Sequence, residues 1–339
     1  MKTLLKIAKY VLLFGAAVLL VYLAFRKVDW EAFLAGLAQT RWMWVVLFCI
    51  FSVLALFGRV VRWKELLAPF DSSIGAVKIW DANNIGNLAS AALPGTGEIL
   101  RCGYVSSKKL QFDKALGTML GERIWDLIAI IVLAVVSLSL QWDRFGGYFK
   151  DNIVSPLASA GAGWILLAVI AVAAVFIVLM FKFRERSDFC RKTAESISRL
   201  GAGILAFTKS KNKLLIAVAT FFIWFMYVLM CFCIIKAMPS LSGLTLSDAA
   251  FLSLVGNIAS VVPVPGGIGA YHYLVAAAVG LYGQSWETGL LFATLNHEIH
   301  AVIVIVLGII SYIKVVRDRS RKHSDVNKPE DNIYKNEAE

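Results

Sequence analysis

Along the chain, apolar runs close to 20 residues alternate with short polar stretches, and each run is long enough to cross a bilayer as a helix. Uninterrupted runs cover about residues 7–25, 42–61, 115–140, 162–181, 214–235 and 288–313. Two further apolar stretches, about 71–101 and 246–281, are interrupted by Gly, Pro, Ser and Asn. A break inside lipid leaves backbone groups unpaired, so it survives only where those groups are buried in protein or line a polar cavity. The pattern predicts an all-α polytopic membrane protein with six full spans and two broken, membrane-inserted hairpins.

The two interrupted stretches resemble each other. Gly86-Asn87-Leu88-Ala89-Ser90 returns about 170 residues later as Gly256-Asn257-Ile258-Ala259-Ser260, and each is followed by an apolar step and a Pro-Gly pair. Asn87, Pro94 and Gly95 in the first copy, and Asn257, Pro263 and Pro265 in the second, are the residues expected to shape the breaks. The two asparagines are expected to satisfy backbone groups that the breaks release. After Pro265, Gly266 and Gly267 open a new helix whose free amides can face an anionic group, or form a kink where small residues pack. Repeated broken segments are the sequence sign of a transport site at a repeat interface.

Composition settles the solvent. Of 339 residues 59% are hydrophobic and 17% charged, against about a quarter charged in a soluble domain. The net charge of +11 lies in loops beside the apolar runs, which is the positive-inside pattern rather than a nucleic-acid surface. A bundle over residues 1–313 is expected, with repeat halves at about 42–140 and 214–313 and a basic cytoplasmic segment at 182–213. That segment reads equally as an amphipathic surface helix or as a linker helix over the bundle. Residues 314–339 are expected to be a disordered cytoplasmic tail. The charge pattern puts both termini in the cytoplasm, and the three spans between the hairpins then make the two copies inverted. Lys2, Lys6 and Lys9 before the first run imitate a signal peptide, but no small-x-small cleavage site precedes Arg26, so a retained span is expected. The five cysteines have no metal or disulfide spacing and read as small core residues.

Ionisable residues inside apolar runs are expensive and become functional candidates. Glu122, Arg123 and Asp126 form the densest group. Arg123 and Asp126 can pair three residues apart, which leaves Glu122 without a local partner. Their alternative is a self-neutralised pair at the interface. Glu98 and Arg101 follow the first break, where Arg101 suits a lipid phosphate or a snorkelling anchor. His272, His297 and His300 fall in the second half. The spacing His297-Glu298-Ile299-His300 is wrong for a zinc-hydrolase helix, so proton uptake, headgroup contact or a core hydrogen bond is expected rather than a metal. No cofactor is expected, and no phosphate-loop motif for ATP occurs.

Three ordered pieces, Pro94-Gly95-Thr96-Gly97-Glu98 with Arg101, Glu122-Arg123 with Asp126, and Pro263-Val264-Pro265-Gly266-Gly267-Ile268-Gly269, resemble the lysylphosphatidylglycerol synthase transmembrane, or flippase-like, family. The resemblance runs from about residue 12 to 313. It implies translocation of a lipid between leaflets, without the aminoacyl transferase that the best-understood members carry. Where the family often has a Glu after the second glycine motif this chain has Tyr271-His272-Tyr273, and His297 stands near the family's Arg in the last span. The expected function is movement of an anionic or amphipathic lipid, or a lipid-linked sugar, across the plasma (inner) membrane. The expected partners are that lipid and a cell-envelope lipid synthase. Two rival readings are a membrane-embedded lipid-modifying enzyme using Glu122, Asp126 and the histidines, and a non-transporting scaffold of such a synthase.

Overall fold

The computed structural model describes residues 21–26, 28–93, 95–151, 188–260 and 269–326, with Gly15, Leu19, Ser155, Trp164, Val175, Val178, Met180, Lys182 and Gly267 as isolated positions. Within these residues the secondary structure is helical throughout. The helices are α1 (Trp30–Ala38), α2 (Trp42–Leu67), α3 (Ala76–Ala92), α4 (Thr96–Val105), α5 (Phe112–Leu140), α6 (Trp142–Phe149) and α7 (Asp188–Ile204). They continue as α8 (Ala206–Lys209), α9 (Lys213–Ala237), α10 (Leu246–Ala259), α11 (Ala270–Gly280) and α12 (Trp286–Val326). Among the described residues four stretches are long and apolar enough to cross a membrane: Trp42–Leu67, Phe112–Leu140, Lys213–Ala237 and Trp286–Asp318. Of the expected span at 7–25 residues 21–25 are described and helical, while 162–181 lies outside the described residues apart from isolated positions.

Burial is inside out relative to a soluble protein. On α5, Ile124, Leu127, Ile128, Ile131, Val132 and Val135 are exposed, whereas Gly117, Gly121 and Glu122 are buried. Steps of three and four put the apolar positions on one face, and so wide an apolar surface is stable only against lipid. Where hydrocarbon surrounds the bundle, close packing of small residues holds helices together. Gly58 of α2 accordingly admits Phe222 and Ile223 of α9; a Cβ there would come to 2.9 Å from Ile223 Cγ1.

The two interrupted stretches fold as helical hairpins, α3–α4 and α10–α11. Their arms have 17 and 10 residues, and 14 and 11. At 1.5 Å per residue these arms reach roughly 15–26 Å, less than a hydrocarbon core of about 30 Å. The turns use left-handed glycines: Gly95 at φ 80° in the first, Gly267 at 73° and Gly269 at 87° in the second. A side chain is disfavoured in that region, which accounts for glycine at these positions. Pro94, Pro263, Pro265 and Gly266, expected to shape the breaks, lie outside the described residues.

Helix α12 packs on both hairpins. Against α3, Lys314 Nζ meets Asp81 Oδ2 at 2.8 Å, and Asn84 Nδ2 donates to Ser311 Oγ at 3.4 Å. Its helix continues to Val326, so the first half of the expected disordered tail is ordered as an extension of the last span. Lys314, Arg317 and Arg321 add basic residues to the expected run without breaking its helical propensity. Residues 327–339 lie outside the described residues. In the basic segment, α7 lies along the N-terminal half of α5 as a helix covering the bundle. Arg199 Nε bonds Asp113 Oδ2 at 2.8 Å, and Gly203 approaches Gly117 so closely that a Cβ on Gly203 would lie 2.6 Å from Gly117 Cα. All five cysteines are free, with Cys102, Cys231 and Cys233 buried.

Candidate functional site

The hairpins face one another across a cavity of about 590 Å³. Asn87 and Ser90 of α3 line it, as do their repeat equivalents Asn257 and Ser260 at the end of α10. Gly95 and Glu98 extend the wall on the first side, Gly256 and Gly267 on the second. Helix α12 closes it with Asn296, His297 and His300, and α2 adds Arg59. Polar side chains from both hairpins and from two long helices thus converge on a cavity whose wall is otherwise apolar, the mixture found in ligand sites.

Each hairpin is held shut by a glycine at the same place in the repeat. A Cβ on Gly86 would lie 2.8 Å from the Gly97 carbonyl, and one on Gly256 would lie 2.8 Å from Tyr271 Oη. The groups released at the first turn are satisfied by hydroxyls: Thr96 Oγ1 donates to the Ala89 and Leu93 carbonyls at 3.0 and 2.7 Å, and Gly97 N donates to Ser90 Oγ at 3.2 Å. Among the described residues neither Asn87 nor Asn257 bonds a backbone group of the turns. Asn257 Nδ2 donates to Ser253 O at 2.8 Å within its own helix, and Asn87 Nδ2 is buried without a partner among the described residues. Both asparagines line the cavity.

Beside the cavity lies a buried charge network. Glu122 is 1% exposed and stands between two guanidiniums, Arg101 Nη2 at 2.7 Å and Arg62 Nε at 3.5 Å. The contacts are bent, so they act as ion pairs rather than directed hydrogen bonds. Arg62 Nη1 also donates to Asp126 Oδ1 at 2.7 Å, and Arg101 Nη1 to Asn83 Oδ1 at 3.1 Å. The Arg101 guanidinium lies 4.5 Å over the Trp63 ring, a cation–π contact that strengthens out of water. Arg123, half exposed, bridges Glu98 Oε1 at 3.0 Å and Asp126 Oδ2 at 3.4 Å. Three cations and three anions are thus matched across α2, α4 and α5.

This arrangement changes several expectations. Glu122 has partners, but they come from α2 and α4 rather than its own helix. Arg101, expected at the groove, is 3% exposed and turned away to Glu122, because an unpaired carboxylate at that depth would cost more than the lost headgroup contact. Arg123 is occupied by two carboxylates. Neither arginine lines the cavity, whereas Glu98 does and links it to the network through Arg123. Arg59 takes the open position: it lines the cavity, and among the described residues no carboxylate forms an ion pair with it.

Arg59 and Arg62 stand at the end of the second apolar run, where the positive-inside pattern alone accounts for their charge. The helical spacing of Ser52, Arg59 and Arg62 was a usable signal, since Val53, Leu54 and Phe57 between them point outward. Ser52 Oγ lies 2.8 Å from His300 Nδ1, continuing that polar stripe to α12. His297 Nδ1 lies 3.0 Å from Glu298 Oε1 and its ring 4.8 Å from that of Tyr271, whose hydroxyl accepts from Asn296 Nδ2 at 2.5 Å. His272 is 2% exposed on the first turn of α11.

Residues 7–308 match the family model described as lysylphosphatidylglycerol synthase TM region. Comparison with curated proteins and with solved structures gives no match.

Proposed function

The chain belongs to the lysylphosphatidylglycerol synthase TM region family, membrane proteins of lipid and cell-envelope biosynthesis, and from that premise we propose that it moves an anionic lipid between leaflets. The observation that carries the proposal is a cavity lined by equivalent polar residues of both repeat copies, Asn87 with Asn257 and Ser90 with Ser260.

In this mechanism the headgroup enters the cavity while the acyl chains stay in the bilayer. Arg59 supplies a cation at the cavity wall that makes no direct ion pair among the described residues, and a guanidinium can hold a phosphate bidentately. The asparagine and serine pairs offer hydrogen bonds from either side. The two hairpins, inverted with respect to one another and with both termini cytoplasmic, open alternately towards the two faces of the plasma membrane. Glu98 connects headgroup arrival to the charge network, because an anion beside it competes for Arg123 and Arg59. Arg62, Arg101, Glu122 and Asp126 are positioning residues that hold α4 against α2 and α5. The driving force is a gradient or removal of product by a lipid-modifying synthase.

Proteoliposomes carrying headgroup-labelled phospholipids and polyprenyl phosphates test this. Protein-dependent leaflet exchange of one phosphate-bearing class is expected. Folded protein that exchanges none of them overturns the proposal, and chemical conversion of a lipid moves the protein to the enzyme class.

A further inference from the structure

The second hairpin brings together three side chains that the sequence separates. His272 lies on the first turn of α11, while His297 and Glu298 lie in the first third of α12. His297 Nδ1 is 3.0 Å and His272 Nε2 is 3.6 Å from the same oxygen, Glu298 Oε1. One donor atom from each residue fits within a span of 4.8 Å. We propose that His272, His297 and Glu298 form a zinc site, with a fourth coordination position facing the cavity.

Distance is the first argument. Tetrahedral zinc with bonds of about 2.0–2.1 Å sets neighbouring donor atoms roughly 3.3 Å apart. The two His-to-Glu separations bracket that figure, and the three donors together span no more than 4.8 Å, so side-chain rotation of the imidazoles brings all three onto one cation.

The second argument is the state of His272. Its side chain is 3% exposed, its Nδ1 has no hydrogen-bond partner, and its Nε2 at 3.6 Å is too far from Glu298 for a hydrogen bond. An unbonded ring nitrogen on so buried an imidazole is costly, and it marks His272 as a side chain that its protein neighbours leave incompletely satisfied. Nε2 is the nitrogen aimed at the shared carboxylate oxygen.

Position adds a third. Gly267 passes His297 with φ 73°, so close that a Cβ would lie 3.3 Å from His297 Nε2. That contact, with the Tyr271 ring 4.8 Å away, holds the imidazole with Nδ1 towards Glu298. His297 and Gly267 both line the cavity. Two imidazoles and one carboxylate suit zinc, whereas magnesium and calcium require oxygen-dominated shells. Three protein ligands with an open fourth position are the arrangement of a zinc that binds an exchangeable group. The open position would accept water or an anionic headgroup oxygen; that extension rests on the translocation proposal above, and the metal site itself does not.

The test uses full-length protein purified in detergent with a histidine-free tag, equilibrated with buffered zinc, desalted and measured by elemental mass spectrometry. About one zinc per chain is expected for the wild type, falling at least tenfold in His272→Gln and in Glu298→Gln. His300→Gln, whose imidazole faces Ser52 instead, should keep the wild-type stoichiometry. Cobalt loading of the wild type provides a second reading that does not depend on the folding of any variant: a tetrahedral visible spectrum is expected. Wild-type protein that retains no zinc, zinc that persists in both ligand variants, or an octahedral cobalt spectrum each overturns the assignment. No lipid assay enters the measurement, so a metal-free protein would sink this inference and leave translocation untouched.

Discussion

Glu122 is the residue on which the charge network turns. It neutralises Arg62 and Arg101, each of which is almost wholly buried, and truncating it leaves Arg101 without its ion pair and Arg62 with Asp126 alone in a low-dielectric interior. Breaking a buried pair from one side costs about 3–5 kcal/mol. Glu122→Ala should therefore lower the unfolding midpoint in detergent clearly, and an unchanged midpoint would show that the pairs contribute nothing. Arg59 is the contrasting case, since it has no ion-pair partner to lose. Arg59→Gln should leave the unfolding midpoint near the wild-type value but slow lipid exchange about tenfold to a hundredfold, as expected for one charged hydrogen-bonded contact. The part of this network on α5 was legible in the sequence because Glu122, Arg123 and Asp126 are close along one helix. Arg62 was not legible as a partner, for its charge also satisfies the positive-inside pattern and Glu122 lies on a helix 60 residues away.

At the scale of elements, the hairpins depend on glycines where two helices touch. A Cβ on Gly97 would overlap the Gly86 carbonyl and Ser90 Oγ, whereas one on Gly103 of the same helix meets nothing within 4 Å. Gly97→Ala should cost about 1–3 kcal/mol through forced separation of α3 from α4. Gly103→Ala should be neutral or slightly stabilising. Thermal unfolding of the two variants side by side checks this, and equal midpoints would contradict the close packing of the turn. The existence of both hairpins followed from the repeated Gly-Asn-apolar-Ala-Ser and the glycines after it. The roles within them did not, since both an asparagine and a threonine can serve a released carbonyl and only the fold decides which is nearer. The helix over the bundle was legible as amphipathic from its 3.6-residue period. Its docking on α5 depended on Gly117 meeting Gly203, a contact between residues 86 apart that no local pattern records.

For the whole molecule, the governing fact is a set of polar groups gathered at one cavity and one charge network inside an otherwise apolar bundle. Apolar surface on α5, α9 and α12 fits lipid, and the polar groups gather where the two repeat copies meet. Composition and run length made the first part legible; the repeat pointed to the second before any coordinate did. The last span was underestimated because a basic, polar composition resembles a free tail even where the helix continues to Val326. Both copies must build one path if the central claim is right. The most direct measurement is the rate of leaflet exchange of the transported lipid by Ser90→Trp and Ser260→Trp, which fill the cavity from opposite sides. Each folded variant is predicted to lose at least about tenfold in rate, equivalent to about 1.4 kcal/mol on the barrier. Wild-type rates in either variant would contradict a shared path between the repeats.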